Sequence, residues 1–146
     1  MSSFSIGQRV QKSQASYDIL LIEDDEATSE MLTECIESES SFRVKSLSSG
    51  EEALQHFQEI KEAVPFLLII DYLLPGMNGL QLFDHLQSLK TFEQVPVIMI
   101  TATTINEDIQ AALHDRSMAL LTKPLELTDL LDYLEQFHKC SHQQLL

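Results

Sequence analysis

The chain has 146 residues, of which 44% are hydrophobic and 22% are charged, a composition typical of one globular domain of ordinary size. It contains 9 basic and 23 acidic residues, and all the acidic residues lie beyond position 16. Because so acidic a surface repels phosphate groups, we predict that it binds neither nucleic acid nor an anionic membrane. No apolar run is long enough to cross a bilayer, and residues 1–16 lack the apolar stretch of a signal peptide. With only two cysteines in addition, we expect a soluble, cytoplasmic protein.

Five short apolar runs alternate along the chain with segments whose apolar residues recur at helical spacing. The runs are Ile19–Ile22, Phe42–Leu47, Phe66–Ile70, Val97–Ile100 and Ala119–Leu121. Continuous apolar strands that alternate with amphipathic helices predict a parallel sheet covered on both faces. Right-handed crossovers then favour a doubly wound α/β fold of five βα units. The first helical set comprises Met31, Leu32, Cys35 and Ile36, and we expect Cys35 to belong to the core.

Polar residues directly follow four of these runs. They are Glu23, Asp24, Asp25 and Glu26 after the first run, Asp71 after the third, Thr101 after the fourth, and Lys123 with Pro124 after Ala119–Thr122, which contains the fifth. Ligands of open α/β sheets bind at the carboxyl ends of the strands, so these side chains are predicted to share one edge. Carboxylates from neighbouring strand ends repel each other unless a cation intervenes, and Mg²⁺ prefers such oxygen ligands. Acids, metal, hydroxyl and lysine together describe a phosphoryl-transfer site in which an aspartate is the candidate nucleophile.

A purely structural interpretation also exists for each of these residues. Acids that follow a strand often cap the next helix, and Asp25 and Glu26 fit that role well. Thr101 alone is typical of a strand end, and Lys123 alone is typical of a solvated charge. Asp71 is different, because a Tyr-Leu-Leu-Pro segment follows it instead of a helix start. The prediction of a site therefore depends on the joint placement of these residues at one edge.

Residues 17–138 resemble a response-regulator receiver domain, the CheY-like module of two-component signalling. The resemblance is carried by ILLIEDDE at 19–26, IIDYLLPGMNGLQL at 69–82, VIMITA at 97–102 and LLTKP at 120–124. It implies a flavodoxin-like (βα)5 sheet with helices on both faces. Residues 1–16, which are polar and lack an apolar stretch, are predicted to be a mobile tail, and residues 139–146 are predicted to be a C-terminal tail.

The resemblance implies that Asp71 is the phosphoacceptor and that Mg²⁺ is the cofactor. By position, Asp24, Asp71 and the backbone carbonyl of Leu73 would bind the metal directly, and Glu23 would act through a water molecule. Three acids stand in a row, so Asp25 is an alternative direct ligand, with Asp24 then the outer-sphere group. The Glu23/Asp24 register is preferred, because Ile19–Ile22 then fills the strand in phase.

Thr101 and Lys123 match the hydroxyl and the lysine that contact the phosphoryl group in the family. The lysine–proline peptide is usually cis in these proteins, and we expect the same of Lys123–Pro124. The implied donor is a histidine kinase or phosphotransfer protein. The implied output is a contact with a downstream protein through the face formed by helix 4, strand 5 and helix 5. The chain is thus expected to act as a single-domain response regulator, a phosphoacceptor switch and not an enzyme.

One departure from the family pattern concerns the output step. The position three residues before the lysine usually holds Tyr or Phe, and here it is Leu120. We hypothesise that phosphorylation is read through the backbone and Thr101 alone. The missing aromatic also supports an alternative, a pseudo-receiver that binds partners without phosphorylation.

A further alternative is a phosphatase of the haloacid-dehalogenase type, which also uses an aspartate nucleophile. Such enzymes need a second acid two residues later, where this chain has Leu73. We predict no catalytic histidine. His138, Cys140 and His142 lie close in sequence, but without a fourth ligand nearby a polar helix end is the preferred interpretation.

Overall fold

A computed structural model describes residues 17–59, 65–89, 92, 94–102, 106–116 and 118–145. These residues form one parallel sheet of five strands, connected by helices. The strands are β1 (Ile19–Ile22), β2 (Val44–Leu47), β3 (Leu67–Asp71), β4 (Val97–Thr101) and β5 (Ala119–Thr122). The helices are α1 (Glu26–Glu39), α2 (Gly50–Glu59), α3 (Gly79–Gln87), α4 (Glu107–Asp115) and α5 (Leu127–Leu145).

The order of strands in the sheet is β2-β1-β3-β4-β5. The chain therefore moves outward from β1 to one edge, returns to the centre, and continues to the other edge. The order reverses between β1 and β3, and this reversal opens a crevice at their carboxyl ends. The sequence prediction of a doubly wound α/β sheet is confirmed.

Helices cover both faces of the sheet, and neighbouring strand residues point into different layers. Ile19 and Leu21 pack into the core beneath α1 and α5, whereas Leu20 and Ile22 pack into the core beneath α2, α3 and α4. All five residues of β3 and of β4 are buried. Burial on both faces explains why the central strands are continuous apolar runs in the sequence.

One expectation about the first helix was wrong. Cys35 is only half-buried and is not a core residue, and Met31, from the same apolar set, is 46% exposed. The buried positions of α1 are Ser29, Leu32 and Ile36. They are three and four residues apart, so they form a stripe only one residue wide. The helix therefore meets the sheet along a narrower line than its apolar residues suggest.

Helix α5 extends to Leu145 and so includes residues 139–145, which the sequence analysis assigns to a tail. The tail proposed for 1–16 lies outside the described residues. Within the described part of the chain, every helix is too short or too polar to span a membrane.

Candidate functional site

The polar side chains predicted to share one edge of the sheet are found on strands that neighbour each other there. Glu23 follows β1, Asp71 ends β3, Thr101 ends β4 and Lys123 follows β5. Because β1, β3, β4 and β5 are adjacent in that order, their carboxyl ends bring these residues to one side of the molecule. Glu23, Asp71 and Thr101 are each at most 3% exposed.

Three carboxylates meet at this edge. Glu23, Asp24 and Asp71 each offer an oxygen, and these oxygens all lie within 4.8 Å of one another. Glu23 and Asp71 are buried, whereas Asp24 is exposed. Hard divalent cations take oxygen ligands at such spacings, so the donor set suits Mg²⁺.

Glu23 has an unsatisfied oxygen that fits this interpretation. Its Oε2 accepts a hydrogen bond from the backbone N–H of Asp25 at 3.1 Å, but its buried Oε1 has no hydrogen-bond partner among the described residues. Burial raises the pKa of Glu23 to about 7; the Asp25 N–H opposes this increase, Asp71 adds to it, and Lys123 lowers it. A buried carboxylate oxygen that accepts no hydrogen bond is costly, and a bound cation would offset this cost.

Each carboxylate oxygen of Asp71 accepts one hydrogen bond. Its Oδ1 accepts the backbone N–H of Leu73 at 3.1 Å, and its Oδ2 accepts Lys123 Nζ at 3.0 Å. Lys123 Nζ also lies 3.8 Å from Glu23 Oε1. Partial burial lowers the pKa of Lys123, but the hydrogen bond to Asp71 and the charges of Asp71, Glu23 and Asp24 together raise it above its ordinary value. The ammonium is therefore charged at neutral pH.

Asp25 has a different role from its two acidic neighbours. It is the N-cap of α1, and its side chain accepts the backbone N–H of Thr28 at 2.9 Å. The hydrogen bonds from Thr28 lower the pKa of Asp25. A carboxylate used in this way stabilises the helix start, as the capping interpretation of this residue predicts.

The loop after Asp71 explains the Pro-Gly-Met-Asn-Gly motif. Gly76 has a φ of +73°, a conformation that favours glycine. Asn78 caps α3 through a reciprocal capping box with Gln81. A Cβ on Gly79 would lie 2.7 Å from the backbone oxygen of Asp71, so only glycine lets α3 begin this close to the end of β3.

These contacts were missed by the sequence reasoning, which named only the carbonyl of Leu73 in this loop. The Pro-Gly-Met-Asn-Gly motif itself indicates a turn at Gly76 and a helix cap at Asn78. The Leu73 N–H and the close approach of Gly79 depend on the folded path of the loop, so no sequence pattern reveals them.

Thr101 and Lys123 are connected through the backbone. The carbonyl of Thr101 accepts the N–H of Lys123 at 2.8 Å, and the Lys123–Pro124 peptide is cis, as expected. Leu120, at the position that is usually aromatic, is half-buried and packs into the core beneath α2, α3 and α4. The side chains of His138, Cys140 and His142 lie outside the described part of the structure.

Comparison with known proteins decides the family. The family model "Response regulator receiver domain" matches residues 19–135, which contain all the strands described above. The chain belongs to the response regulator receiver domain family. Members act as phosphoacceptor switches, bind Mg²⁺ through acidic residues and interact with a histidine kinase or another phosphodonor; this receiver domain has such an acidic cluster.

Curated relatives include full-length regulators and a shorter protein. The transcriptional regulatory protein HprR of Escherichia coli is 36% identical over 113 residues, which are 77% of this receiver domain chain and 48% of HprR. An uncharacterized 14.6 kDa protein of Leptolyngbya boryana is 32% identical over 123 residues, 84% of this chain and 91% of that protein. The chain thus spans about half the length of HprR and most of the length of the Leptolyngbya protein.

Solved structures show the same fold. A two component transcriptional regulator AraC from Clostridium phytofermentans has a TM-score of 0.73 and 25% identity, covering 88% of this chain and 97% of that chain. The chemotaxis protein CheY4 of Vibrio cholerae has a TM-score of 0.71 and 19% identity, covering 84% and 99% respectively, which supports the fold alone. The flavodoxin-like, CheY-like architecture expected from the resemblance is confirmed.

Proposed function

We propose that this receiver domain accepts a phosphoryl group on Asp71 from a phosphohistidine of a histidine kinase or phosphotransfer protein. The observation that carries the proposal is the buried Asp71 carboxylate, which lies beside two further acids and is paired with Lys123. In the transfer, a carboxylate oxygen of Asp71 bonds to phosphorus while the phosphorus–nitrogen bond of the donor breaks. The departing imidazole nitrogen keeps the electron pair and takes up a proton.

The metal ligands are proposed to be Asp24, Asp71 and the backbone carbonyl of Leu73, with Glu23 acting through a water molecule. When bound, Mg²⁺ neutralises charge on the phosphoryl oxygens. Two observations support this assignment: Oε1 of Glu23 accepts no hydrogen bond from the described residues, and the three carboxylates lie close together. Asp25 is not included, because its carboxylate already caps α1.

Lys123 and Thr101 are proposed to contact the phosphoryl group once it is attached. Lys123 Nζ now bonds the Asp71 oxygen, so a short movement of its side chain would follow the negative charge onto the phosphate. Thr101 ends β4 next to β3, where Tyr72 donates its N–H to the carbonyl of Ile100 at 2.8 Å. This pairing holds Thr101 at the same end of the sheet as Asp71.

The output is proposed to reach a downstream protein through the face of α4, β5 and α5. A movement of Thr101 toward the phosphate affects β5 directly, because its carbonyl bonds the Lys123 N–H. At its far end, α4 is anchored to α3 by Arg116, whose Nε and Nη2 each lie 2.9 Å from an oxygen of Asp84. Because this ion pair fixes the far end of α4, we expect the conformational change on phosphorylation to occur at the other end of the helix, which is closer to Thr101.

The proposal is tested by incubating the purified chain with Mg²⁺ and acetyl phosphate and recording its intact mass. We expect a gain of one phosphoryl group that requires Mg²⁺ and is absent in Asp71→Asn. Asp25→Asn is the matched control, since Asp25 is an exposed acid outside the cluster. An unchanged gain in Asp71→Asn would contradict the proposal. If neither acetyl phosphate nor a set of phosphorylated histidine kinases modifies the wild type, the proposal also fails.

A further inference from the structure

A groove of about 450 Å³ lies between β5, α5 and the loop that joins them. Strand β5 is at the edge of the sheet, where β4 is its only neighbour among the described strands. The apolar part of the groove lining consists of Leu120, Leu121, Pro124, Leu125 and Tyr133. All of them except Pro124 are buried or half-buried, so the groove has an apolar floor. Its volume is in the range of ligand-binding pockets, about 300–1,000 Å³.

The wall that α5 and its approach contribute to the groove is acidic. Glu126, Asp129 and Asp132 line it, and all three are exposed. None of these carboxylates forms an ion pair with a basic side chain in the part of the chain that the structure describes. The residues that line the groove include no Lys, Arg or His. The groove therefore combines an apolar floor with negative charge of one sign only.

Helix stability explains only part of this acidic wall. Glu126 directly precedes α5 and Asp129 is in its first turn, where acidic residues complement the positive end of the helix dipole. Asp132 lies one turn further along, where that effect has faded. Asp129 and Asp132 are three positions apart and therefore lie on the same side of α5. A binding partner with basic side chains would pair with both.

We infer that this groove is the docking site for a segment of the downstream protein in which Lys or Arg residues flank an apolar side chain. The inference rests on the proposed output face of α4, β5 and α5, and it adds the chemistry of the partner. The apolar side chain would enter the floor beside Leu120 and Leu125, and the basic ones would pair with the acidic wall.

A second copy of the chain is a poor occupant of this groove. A symmetric dimer interface places the same surface of each copy against the other, so the carboxylates of Asp129 and Asp132 would face their own kind. The formal net charge of the chain is −14, which adds a general repulsion between copies. The electrostatic complement of the groove is therefore a basic partner.

The groove is connected to the phosphorylation site through Lys123. Thr122 and Pro124 both line the groove, and Lys123 lies between them in the chain. The Nζ of Lys123 bonds Asp71 Oδ2 at 3.0 Å, and its N–H bonds the carbonyl of Thr101 at 2.8 Å. A movement of Lys123 toward a phosphoryl group would shift both neighbours, so the affinity of the groove should depend on phosphorylation.

The first arm of the test uses the unphosphorylated chain and three short synthetic peptides, with binding mapped by NMR. One peptide has Leu and Lys at helical spacing, the second has Glu in place of Lys, and the third has Ser in place of Leu. We expect the Leu/Lys peptide to bind, to shift the signals of Leu120, Leu125 and Asp132, and to lose affinity as salt rises. The other two peptides should not bind at the groove.

Variants separate the groove from the general acidity of the chain. Asp132→Asn should weaken binding of the Leu/Lys peptide by about two- to fivefold at low salt, the usual size of one exposed ion pair. Asp129→Asn/Asp132→Asn should weaken it further. Glu30→Gln/Glu34→Gln is the matched control, since it removes two exposed carboxylates from α1. Circular dichroism verifies that each variant folds.

Four results of this arm would overturn the inference. They are no binding of the Leu/Lys peptide, signal shifts only outside the groove, an equal loss in the α1 control, and equal binding of the Leu/Lys and Ser/Lys peptides. Self-association of the free chain that shifts the same groove signals would assign the groove to a second copy and would also overturn it.

The second arm repeats the titration after treatment with acetyl phosphate and Mg²⁺, with the intact mass recorded on the same sample. We expect the affinity for the Leu/Lys peptide to change by about fivefold or more, a typical coupling between two sites. Equal affinity in a sample that carries the phosphoryl group would overturn the connection through Lys123. A sample that gains no mass contradicts the proposed function of Asp71 instead, and the first arm then decides the docking inference by itself.

Discussion

Lys123 Nζ lies 3.0 Å from Asp71 Oδ2, although 52 residues separate the two along the chain. The ammonium thus holds one oxygen of the carboxylate that is proposed to receive phosphorus, before any phosphate is present. After transfer, we expect the same cation to pair with a phosphoryl oxygen. This one contact would then connect the resting site with the phosphorylated one.

Replacing Lys123 by Gln should slow phosphorylation by acetyl phosphate by on the order of 100-fold, as for the loss of one stabilising donor in an active site. The amide retains a hydrogen-bond donor but lacks the charge that offsets the developing phosphoryl charge. Initial rates from intact mass measure the effect. Lys45→Gln, on the exposed face of edge strand β2, is the control and should react like the wild type. Equal rates in both variants would contradict the role of Lys123.

The raised pKa of Glu23 makes a prediction about pH and stability in the absence of metal. With a pKa of about 7 in the fold against an ordinary 4.5, Glu23 keeps its proton in the folded chain where the unfolded chain has lost it. The folded state therefore loses relative stability as pH rises from about 5 through 7. Glu23→Gln, which cannot ionise, avoids this loss.

In a chelator-treated sample, we expect the Tm of Glu23→Gln to exceed that of the wild type by more at pH 8 than at pH 5. Glu34→Gln, an exposed acid of α1, should show no such trend. Added Mg²⁺ should reduce the advantage of the variant, because the cation compensates the ionised carboxylate. If the difference in Tm between Glu23→Gln and the wild type, measured without metal, were smaller at pH 8 than at pH 5, the raised pKa of Glu23 would be contradicted.

Gly79→Ala should destabilise the domain by about 1–3 kcal/mol, the usual cost of forcing an extra methyl into a packed region. The added Cβ would lie 2.7 Å from the Asp71 oxygen and 2.8 Å from Tyr72 Cα, and both are backbone atoms. Urea denaturation measures the change. In the matched variant Gly50→Ala, the new Cβ meets the flexible Met77 side chain, so the loss should be smaller. Equal losses would mean that the close approach of α3 is not the constraint.

Leu120→Tyr tests the hypothesis that phosphorylation is read without an aromatic switch. Leu120 packs into the core beneath α2, α3 and α4, so the wild type has no ring at this position to reorient. We expect both proteins to show the same phosphorylation-dependent NMR shifts in the backbone of α4 and β5, and Thr101→Ala to lose them. If only Leu120→Tyr responded, or if the two proteins preferred opposite partner states, the hypothesis would be wrong.

The fold could be predicted because strands that are buried on both faces are continuous apolar runs in the sequence. The run Ile19–Ile22 is the observed β1, and the run at 66–70 differs from β3 by one residue at each end. Cys35 was placed in the core wrongly, because an apolar residue beside a helical stripe lies inside or outside according to how closely the helix meets the sheet. The partial burial of Cys35 and the 46% exposure of Met31 both depend on that packing.

The sequence could predict which strand ends contribute residues to the candidate site, but it could not predict the contacts of their side chains. Parallel strands bring their carboxyl ends to one edge, so the meeting of Glu23, Asp71 and Lys123 follows from topology. The lack of a hydrogen bond to Oε1 of Glu23 and the Leu73 N–H bond to Asp71 depend on side-chain rotamers and on the path of one loop. Local sequence does not determine either of them.

The most direct measurement is to locate the phosphoryl group chemically. The chain is treated with acetyl phosphate and Mg²⁺, then reduced with borohydride, which converts an aspartyl phosphate to homoserine, and its peptides are sequenced by mass spectrometry. The account predicts homoserine at position 71 alone, and only when Mg²⁺ is present. Homoserine at Asp24 or Asp25 instead, or a phosphoryl group that resists borohydride, would contradict it.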